Sequence, residues 1–358
     1  MQMAYPEYRV VTEQMPDTIR AFQEVEVSGY VADESGNKLE GYSGILFPTV
    51  FDKKTGYKTL GNNPGSMEAE FSMRNAILYR GRAKVENGDF SFRFVVPKDI
   101  AYDYGKGKIS YYLDDGNKDG NGFYRDFTIG GTLDSFEPDH EGPEISLFLN
   151  DTNFVSGDHT NENPILLAFL SDESGINVTG RVGHDIVAFL NDKRSDPIRL
   201  NSYYEADTDT YHSGRVVYPF FGLDDGRHSL TLRAWDAHNN PSTETIEFVV
   251  GSAGRLTLND LMNYPNPFSG ETWFTFNHNQ AFSELDVQID IFNLQGQLVD
   301  RIIRTVTSPG FRAEPIRWDG VGKDGRPLTN GMYLYRLILE TPDGQQAIQT
   351  EKLLLLRE

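Results

Sequence analysis

The sequence contains no cysteine. This absence excludes disulfide bonds and thiolate metal sites. It also excludes a cysteine nucleophile anywhere in these residues, and with it the active site of a cysteine peptidase.

Long apolar runs are missing as well. The longest purely aliphatic run is Leu353–Leu356, whereas a membrane-spanning helix needs roughly 20 apolar residues. The first residues, MQMAYPEYRV, lack the basic start and the apolar centre of a signal peptide. We therefore predict no transmembrane segment. We also expect that any export signal lies upstream and that the chain is a fragment of a longer protein.

No block of the sequence is rich in Lys or Arg. The net charge is −20, and residues 1–257 hold 24 basic against 40 acidic side chains. Binding to a nucleic acid backbone needs a basic surface that displaces counterions, so we predict no nucleic acid partner. Direct polybasic attachment to anionic lipid is disfavoured for the same reason.

Helical periodicity is almost absent, and short alternating or β-branched runs recur between clusters of Gly, Asn, Asp and Pro. Such runs are typical of all-β folds. They form three series, divided by the acidic, turn-rich stretch 129–144 and by a second break that ends in NYPNPF. Blocks of this size and turn spacing predict three tandem immunoglobulin-like β-sandwich domains at 1–135, 142–251 and 258–358.

The segment DDGNKDGNGFYRD (114–126) has the spacing of a calcium-binding loop. With Asp115 at position one, Asn117, Asp119 and Asp126 fall at positions three, five and twelve. Alternating oxygen ligands around a glycine turn suit Ca²⁺, although strands and not helices flank this segment. The alternative interpretation is a hairpin loop in which Asn, Asp and Gly supply the turn geometry.

No catalytic or cofactor-binding constellation emerges from the residues. There is no G-x-S-x-G motif, and the seven histidines show no metal-ligand spacing. GVGKDG (320–325) fits a dinucleotide fingerprint, but no helix follows it. We therefore predict that the chain is not an enzyme, and that His184 and His228 are hydrogen-bonded residues at strand edges.

The last block resembles a known module. NYPNPF (263–268), VQIDIFNLQGQLV (287–299) and the terminal EKLLLL (351–356) are similar to the C-terminal sorting domain of type IX secretion cargo in Bacteroidetes. They also resemble the immunoglobulin-like domain of flagellar hook-capping proteins. The middle block, with DESGINVTGRVGHDIVAFLND (172–192), resembles the region between peptidase and sorting domain in the type IX secretion sortase, a gingipain-like cysteine peptidase.

The resemblance implies a function for a longer parent protein. In that family the catalytic Cys and His lie in an upstream domain, so no catalytic residue is transferred to this chain. The implied parent removes the C-terminal signal of cargo proteins and joins the new terminus to a lipopolysaccharide anchor. Its own sorting domain is implied to stay attached after export through the periplasm. There it would dock the enzyme at the cell surface to an outer-membrane β-barrel of the PorV type and to other attachment-complex proteins.

Two alternatives remain open. The chain could be the tail of a secreted gingipain-like protease whose sorting domain is cleaved off, in which case the junction 251–272 is cut in cells. It could instead be a calcium-dependent adhesin or carbohydrate-binding module, with exposed Tyr102, Tyr104, Tyr111 and Tyr112 stacking on sugars. The interpretation we favour for these tyrosines is packing within strands, where aromatic residues are enriched. On any of these readings the edge formed by Leu353–Leu356 is a candidate to accept a partner strand.

Overall fold

The computed structural model describes residues 8–63, 65–100, 103–180, 183–251, 256–280, 283–308 and 310–357. These residues form 29 strands, and their only helical segment is a 3-10 turn at Asn201–Tyr203. The predicted all-β fold is therefore confirmed. In the described part of the chain, no helix has the length and apolar character needed to cross a membrane.

The first stretch of the chain builds one large sheet and two small ones. Its strands are β1 (Tyr8–Gln14), β2 (Thr18–Ala21), β3 (Glu24–Ala32), β4 (Gly44–Phe51), β5 (Thr55–Lys58), β6 (Glu70–Met73), β7 (Ile77–Arg80), β8 (Ala83–Glu86), β9 (Asp89–Val95), β10 (Gly105–Lys106), β11 (Lys108–Asp114), β12 (Asp119–Tyr124) and β13 (Thr128–Thr132). The large sheet has the order β11-β12-β1-β3-β9-β8-β4-β7, and β4 also pairs with β11, which closes the sheet on itself. The small sheets are β10-β13-β2 and the hairpin β5-β6.

The middle stretch forms two sheets. Its strands are β14 (Glu144–Leu149), β15 (His159–Thr160), β16 (Ile165–Ser171), β17 (Val187–Leu190), β18 (Ile198–Arg199), β19 (Tyr204–Ala206), β20 (Ser213–Pro219), β21 (Gly226–Trp235) and β22 (Pro241–Val250). The sheet orders are β14-β16-β20-β19 and β15-β22-β21-β17-β18.

The last stretch forms a sandwich of two antiparallel sheets. Its strands are β23 (Leu258–Tyr264), β24 (Thr272–His278), β25 (Glu284–Phe292), β26 (Leu298–Thr307), β27 (Ile316–Trp318), β28 (Gly331–Glu340) and β29 (Gln346–Leu355). The sheet orders are β23-β24-β27 and β26-β25-β28-β29.

The core of this sandwich follows from the period-two pattern of its strands. Leu285, Val287, Ile289 and Ile291 of β25 are each at most 1% exposed, and so are alternate residues of β28. Burial of one such side chain contributes roughly 1.5–3 kcal/mol. The polar residues between them face outward on the same strands.

The chain groups into two compact units. The first comprises residues 1–147, 168–217 and 230–245, and the second comprises 148–167, 218–229 and 246–358. No sheet of the described chain mixes strands from 8–132, 144–250 and 258–355. The boundaries of three separate domains stay a prediction.

Candidate functional site

The NYPNPF segment joins β23 to β24 in the last sandwich. Pro265 and Pro267 both follow cis peptide bonds, and neither has a backbone N–H to give to a strand ladder. The side chain of Thr272 donates a hydrogen bond of 2.8 Å to the Pro265 carbonyl and so closes the turn. Phe268 is buried at 3% exposure and packs against Trp318, with ring centroids 5.7 Å apart.

The remaining polar groups of this segment bind the edge of β29. The Asn266 side chain accepts from Leu354 N at 2.9 Å and donates to Lys352 O at 3.1 Å. The Phe268 backbone donates to Leu354 O at 3.0 Å and accepts from Leu356 N at 2.9 Å. NYPNPF therefore acts as a clamp that pairs with the end of the last strand.

This clamp corrects the predicted docking edge. Leu353 and Leu355 are core residues at 1% and 0% exposure, and the outward backbone groups around them are already bonded to the clamp. The regular register of β29 on β28 directs the backbone groups of Gln346, Ile348 and Thr350 to the same outer side. In the described chain these groups have no backbone partner on that side. The strand that contains Leu353–Leu355, β29, is thus an edge strand of its sheet, as predicted, but the open part of its edge lies at 346–350.

A buried carboxylate lies at the centre of the outward face of this sheet. Asp290 is 0% exposed and accepts from Arg301 at 2.6 and 3.2 Å and from Arg336 at 3.1 Å. Burial alone would raise the pKa of Asp290, but the bonds from the two arginines and from Gln288 outweigh it and hold that pKa below its usual value. The cluster pairs one buried carboxylate with two partly exposed guanidinium groups.

Apolar side chains surround this centre on the same face. Ile303 of β26 and Ile348 of β29 are 61% and 57% exposed, and Met332 and Leu334 of β28 are 45% and 39% exposed. The Arg336 guanidinium lies 5.3 Å from the centre of the Phe292 ring. An open strand edge beside exposed isoleucines is a surface that can pair with a partner strand.

The predicted calcium loop forms the hairpin between β11 and β12. Asp115 Oδ1 accepts hydrogen bonds from the backbone N–H groups of Asn117 and Lys118 at 2.8 and 2.7 Å. Asp119 pairs with Asp114 as the last rung of the ladder, and Asp126 follows the end of β12. These bonds match the hairpin interpretation, and the binding of Ca²⁺ here stays a prediction.

The described residues contain one group of three acidic or histidine side chains with ligand atoms within 4.8 Å of one another, and it lies elsewhere. Its members are Asp139, Asp236 and His238 in the first unit. The sequence reasoning missed it because Asp139 comes from the acidic linker and the other two from a distant turn. The only local indication of this group in the sequence is the short spacing between Asp236 and His238 in WDAHNN (235–240).

The histidines singled out from the sequence are hydrogen-bonded, as predicted. His184 Nδ1 lies 2.6 Å from Asp99 Oδ2, and His228 Nε2 lies 2.7 Å from the carbonyl of Asp224. Asn239 also donates to Asp99, at 2.7 Å, so this Asp–His pair belongs to a polar packing network.

The proposed sugar-stacking tyrosines do not form one platform. Tyr104 and Tyr112 are exposed at 64% and 48%, but Tyr111 is 3% exposed and bonds Thr12 at 2.7 Å. Alternation along β11 directs Tyr111 into the core, as expected for a tyrosine that packs within its strand, and not as the sugar-stacking alternative requires. Tyr102 lies outside the described residues.

No family model and no curated protein sequence matches the chain. Among solved structures, the chain is similar to dimeric latent PorU from Porphyromonas gingivalis. The two are 28% identical, with a TM-score of 0.43, over 100% of this chain and 35% of that chain. The chain thus spans about a third of the length of that protein.

Two further structures match over nearly the whole chain at low identity. SGBP-B of the Bacteroides ovatus mixed-linkage glucan utilization locus, in complex with mixed-linkage heptasaccharide, is 10% identical with a TM-score of 0.27 and is covered over 72% of its length. The FN1–FN3 domains of chicken CNTN1 are 10% identical with a TM-score of 0.24 and are covered over 98%. Likenesses this weak say nothing about function.

Proposed function

We propose that the chain is the non-catalytic C-terminal part of a cell-surface cysteine peptidase, the PorU-type sortase of the type IX secretion system. Its last domain would serve export and docking at the outer membrane. Its first two parts would position the absent catalytic domain, which removes the C-terminal signals of cargo proteins.

The observation that carries this proposal is the clamp in the last sandwich. The motif that resembles a type IX sorting domain, NYPNPF, bonds the strand formed by the terminal EKLLLL motif. The two ends of the resemblance thus depend on each other in one folding unit. A module built this way holds its own C-terminal strand and can persist as a permanent domain.

The docking partner we propose is an outer-membrane β-barrel of the PorV type. The open edge at 346–350 and the exposed Ile348 offer main-chain hydrogen bonds and apolar contacts to such a protein. The sorting domains of cargo proteins are the second class of partner. Residues 1–257, with 24 basic and 40 acidic side chains, would keep the preceding modules soluble at the cell surface.

The first test is the intact mass of the full-length parent recovered from the outer membrane of its own cells. We expect residues 258–358 to be attached, and a peptide spanning Leu353–Leu356 to be present. A secreted cargo protein from the same cells, carrying its own sorting-type tail, is the control and should lack that tail.

A parent mass that ends within 251–272 would contradict the proposal and support the tail of a secreted protease. The adhesin alternative predicts calcium-dependent binding to a glycan array, lost in the Asp115→Asn variant. The sortase proposal predicts no such binding.

A further inference from the structure

Two separate chain segments meet around a small polar centre in the first unit. Asp139 lies in the segment between β13 and β14. Asp236 directly follows β21, and His238 lies two residues further in the turn before β22. One ligand atom of each residue lies within 4.8 Å of the other two.

Two of these ligand atoms are buried without a hydrogen bond. Among the described residues, Asp139 Oδ2 and His238 Nδ1 have no hydrogen-bond partner, and these two atoms lie 3.8 Å apart. The Asp139 side chain is only 7% exposed, and its other oxygen, Oδ1, accepts from the backbone of Glu141 at 3.0 Å. A buried carboxylate oxygen with no donor costs free energy unless a ligand satisfies it.

The negative charge at this centre is not compensated by a basic side chain. Asp236 is 0% exposed, and the described residues that donate to its oxygens are the neutral backbone and side-chain N–H groups of Asn240, at 2.5 and 2.7 Å. The Ser174 hydroxyl lies 3.4 Å from Asp236 Oδ2. Among the described residues, neither Asp139 nor Asp236 forms an ion pair with Lys or Arg. Two carboxylates this close and out of water repel each other unless a proton or a cation lies between them.

The surroundings add to this negative potential. Asp139 lines an open pocket together with four other carboxylate side chains and one histidine: Glu141, Glu144, Asp172, Glu173 and His212. Ser174 Oγ donates to Asp172 Oδ1 at 2.7 Å. A cation from solvent would therefore be concentrated at the mouth of the centre.

The His238 ring lies against aromatic side chains. Phe22 and Phe136 pack near this ring, with centroids 4.9 and 5.9 Å from it, and fix its place.

We propose that Asp139, Asp236 and His238 bind one divalent transition-metal ion, Zn²⁺ being the ion that suits them best. Two carboxylate oxygens and one imidazole nitrogen are ligands that Zn²⁺ accepts, whereas Ca²⁺ takes oxygen ligands. Tetrahedral ligands at about 2.0–2.2 Å from the ion lie roughly 3.4 Å apart. The separation of 3.8 Å between Asp139 Oδ2 and His238 Nδ1 therefore closes with a small shift.

The ion would fasten the acidic linker to the β21–β22 turn. Asn240 already donates to the carbonyl of Asp139 at 3.0 Å. A metal bond on the Asp139 side chain adds a second attachment from the same turn. The linker after β13 and the β21–β22 turn both lie in the first unit. The bound ion would therefore hold that linker more rigidly.

The test is metal binding by the full 358-residue chain after treatment with a chelator and desalting. We expect one Zn²⁺ per chain by elemental analysis, a raised thermal midpoint, and slower proteolysis of 133–143. Co²⁺ should give the visible absorption of a site with a histidine ligand. Changes outside the ligand shell weaken metal sites about 10- to 100-fold, so loss of a ligand in Asp139→Asn or His238→Gln should weaken Zn²⁺ at least about ten-fold.

Matched controls separate this site from the rest of the surface. Asp134→Asn changes an exposed carboxylate of the same linker, and Asp115→Asn changes the loop predicted to bind Ca²⁺. Both should bind Zn²⁺ as the unaltered chain does. In Asp139→Asn the Glu141 N–H keeps an acceptor, so the variant should fold. Absence of stoichiometric Zn²⁺, equal binding in Asp139→Asn and His238→Gln, or a preference for Ca²⁺ at these residues would overturn the proposal.

Discussion

At the scale of the residue, one buried histidine is expected to make the stability of the last sandwich depend on pH. His278 at the end of β24 is 1% exposed, and its Nδ1 accepts from Gln280 N at 3.2 Å. With Nδ1 an acceptor, Nε2 carries the proton and donates to Ser308 Oγ at 2.8 Å. The ring is therefore held neutral, and burial lowers the pKa of His278 from 6.5 to about 4.

This pKa predicts a specific pH dependence of stability. Above pH 6.5 the ring is neutral in both the folded and the unfolded chain, and the stability is fully present. As the pH falls from 6.5 towards 4, the unfolded chain alone takes up the proton, so stability is lost. The loss is on the order of 3 kcal/mol for one group.

The measurement is urea unfolding between pH 7 and pH 4, followed by tryptophan fluorescence in a Trp235→Phe background, in which Trp273 and Trp318 report on the last sandwich. His278→Gln should lower stability at pH 7 and should flatten the decline towards pH 4. His159→Gln changes an exposed histidine and should leave the decline as it is. An equal decline in the unaltered chain and in His278→Gln would refute the assignment.

At the scale of the element, the last strand depends on the clamp that precedes β24. Asn266→Ala removes the side-chain bonds to Lys352 O and Leu354 N. Loss of a hydrogen bond of about 1 kcal/mol should raise the exchange rate of the Leu354 amide roughly five- to ten-fold. The exchange rate of the Leu354 amide is measured by hydrogen exchange followed by NMR. Asn293→Ala, in the turn between β25 and β26, is the control and should leave Leu354 protected. Unchanged protection in Asn266→Ala would show that the clamp does not hold this edge.

Elements with one buried face were predictable from the sequence. Short alternating runs predicted an all-β fold, and the long strands Glu284–Phe292 and Gly331–Glu340 of the last sandwich show that alternation of buried and exposed residues. β5 and β6 are exposed on both faces and so have no such pattern. In β23 a bulge between Asn259 and Met262 breaks the alternation. The clamp and the metal candidate were not predictable, because each depends on contacts between segments far apart in the sequence.

At the scale of the whole molecule, the proposed docking edge can be tested without unfolding the last domain. A deletion of 351–358 would remove the core residues Leu353 and Leu355, so its effect on export would not report on docking. The Ile348→Pro variant tests docking more specifically than this deletion, because it removes one outward N–H group at the strand edge and leaves the hydrogen bonds between β29 and β28 intact. We expect the full-length parent with Ile348→Pro to be exported and then released into the medium.

The measurement compares the fraction of the parent protein in the outer membrane with the fraction released into the medium. Ile303→Pro alters an equally exposed isoleucine on the opposite edge strand, β26, and should leave the parent in the membrane. Both variants should keep the unfolding midpoint of the last domain within a few degrees, because edge strands accept proline. Retention of Ile348→Pro at the surface would rule out strand addition at 346–350 and assign docking to the outward face around Asp290. Release of both variants would instead mean that retention depends on the whole sheet, and that β29 has no special part in it.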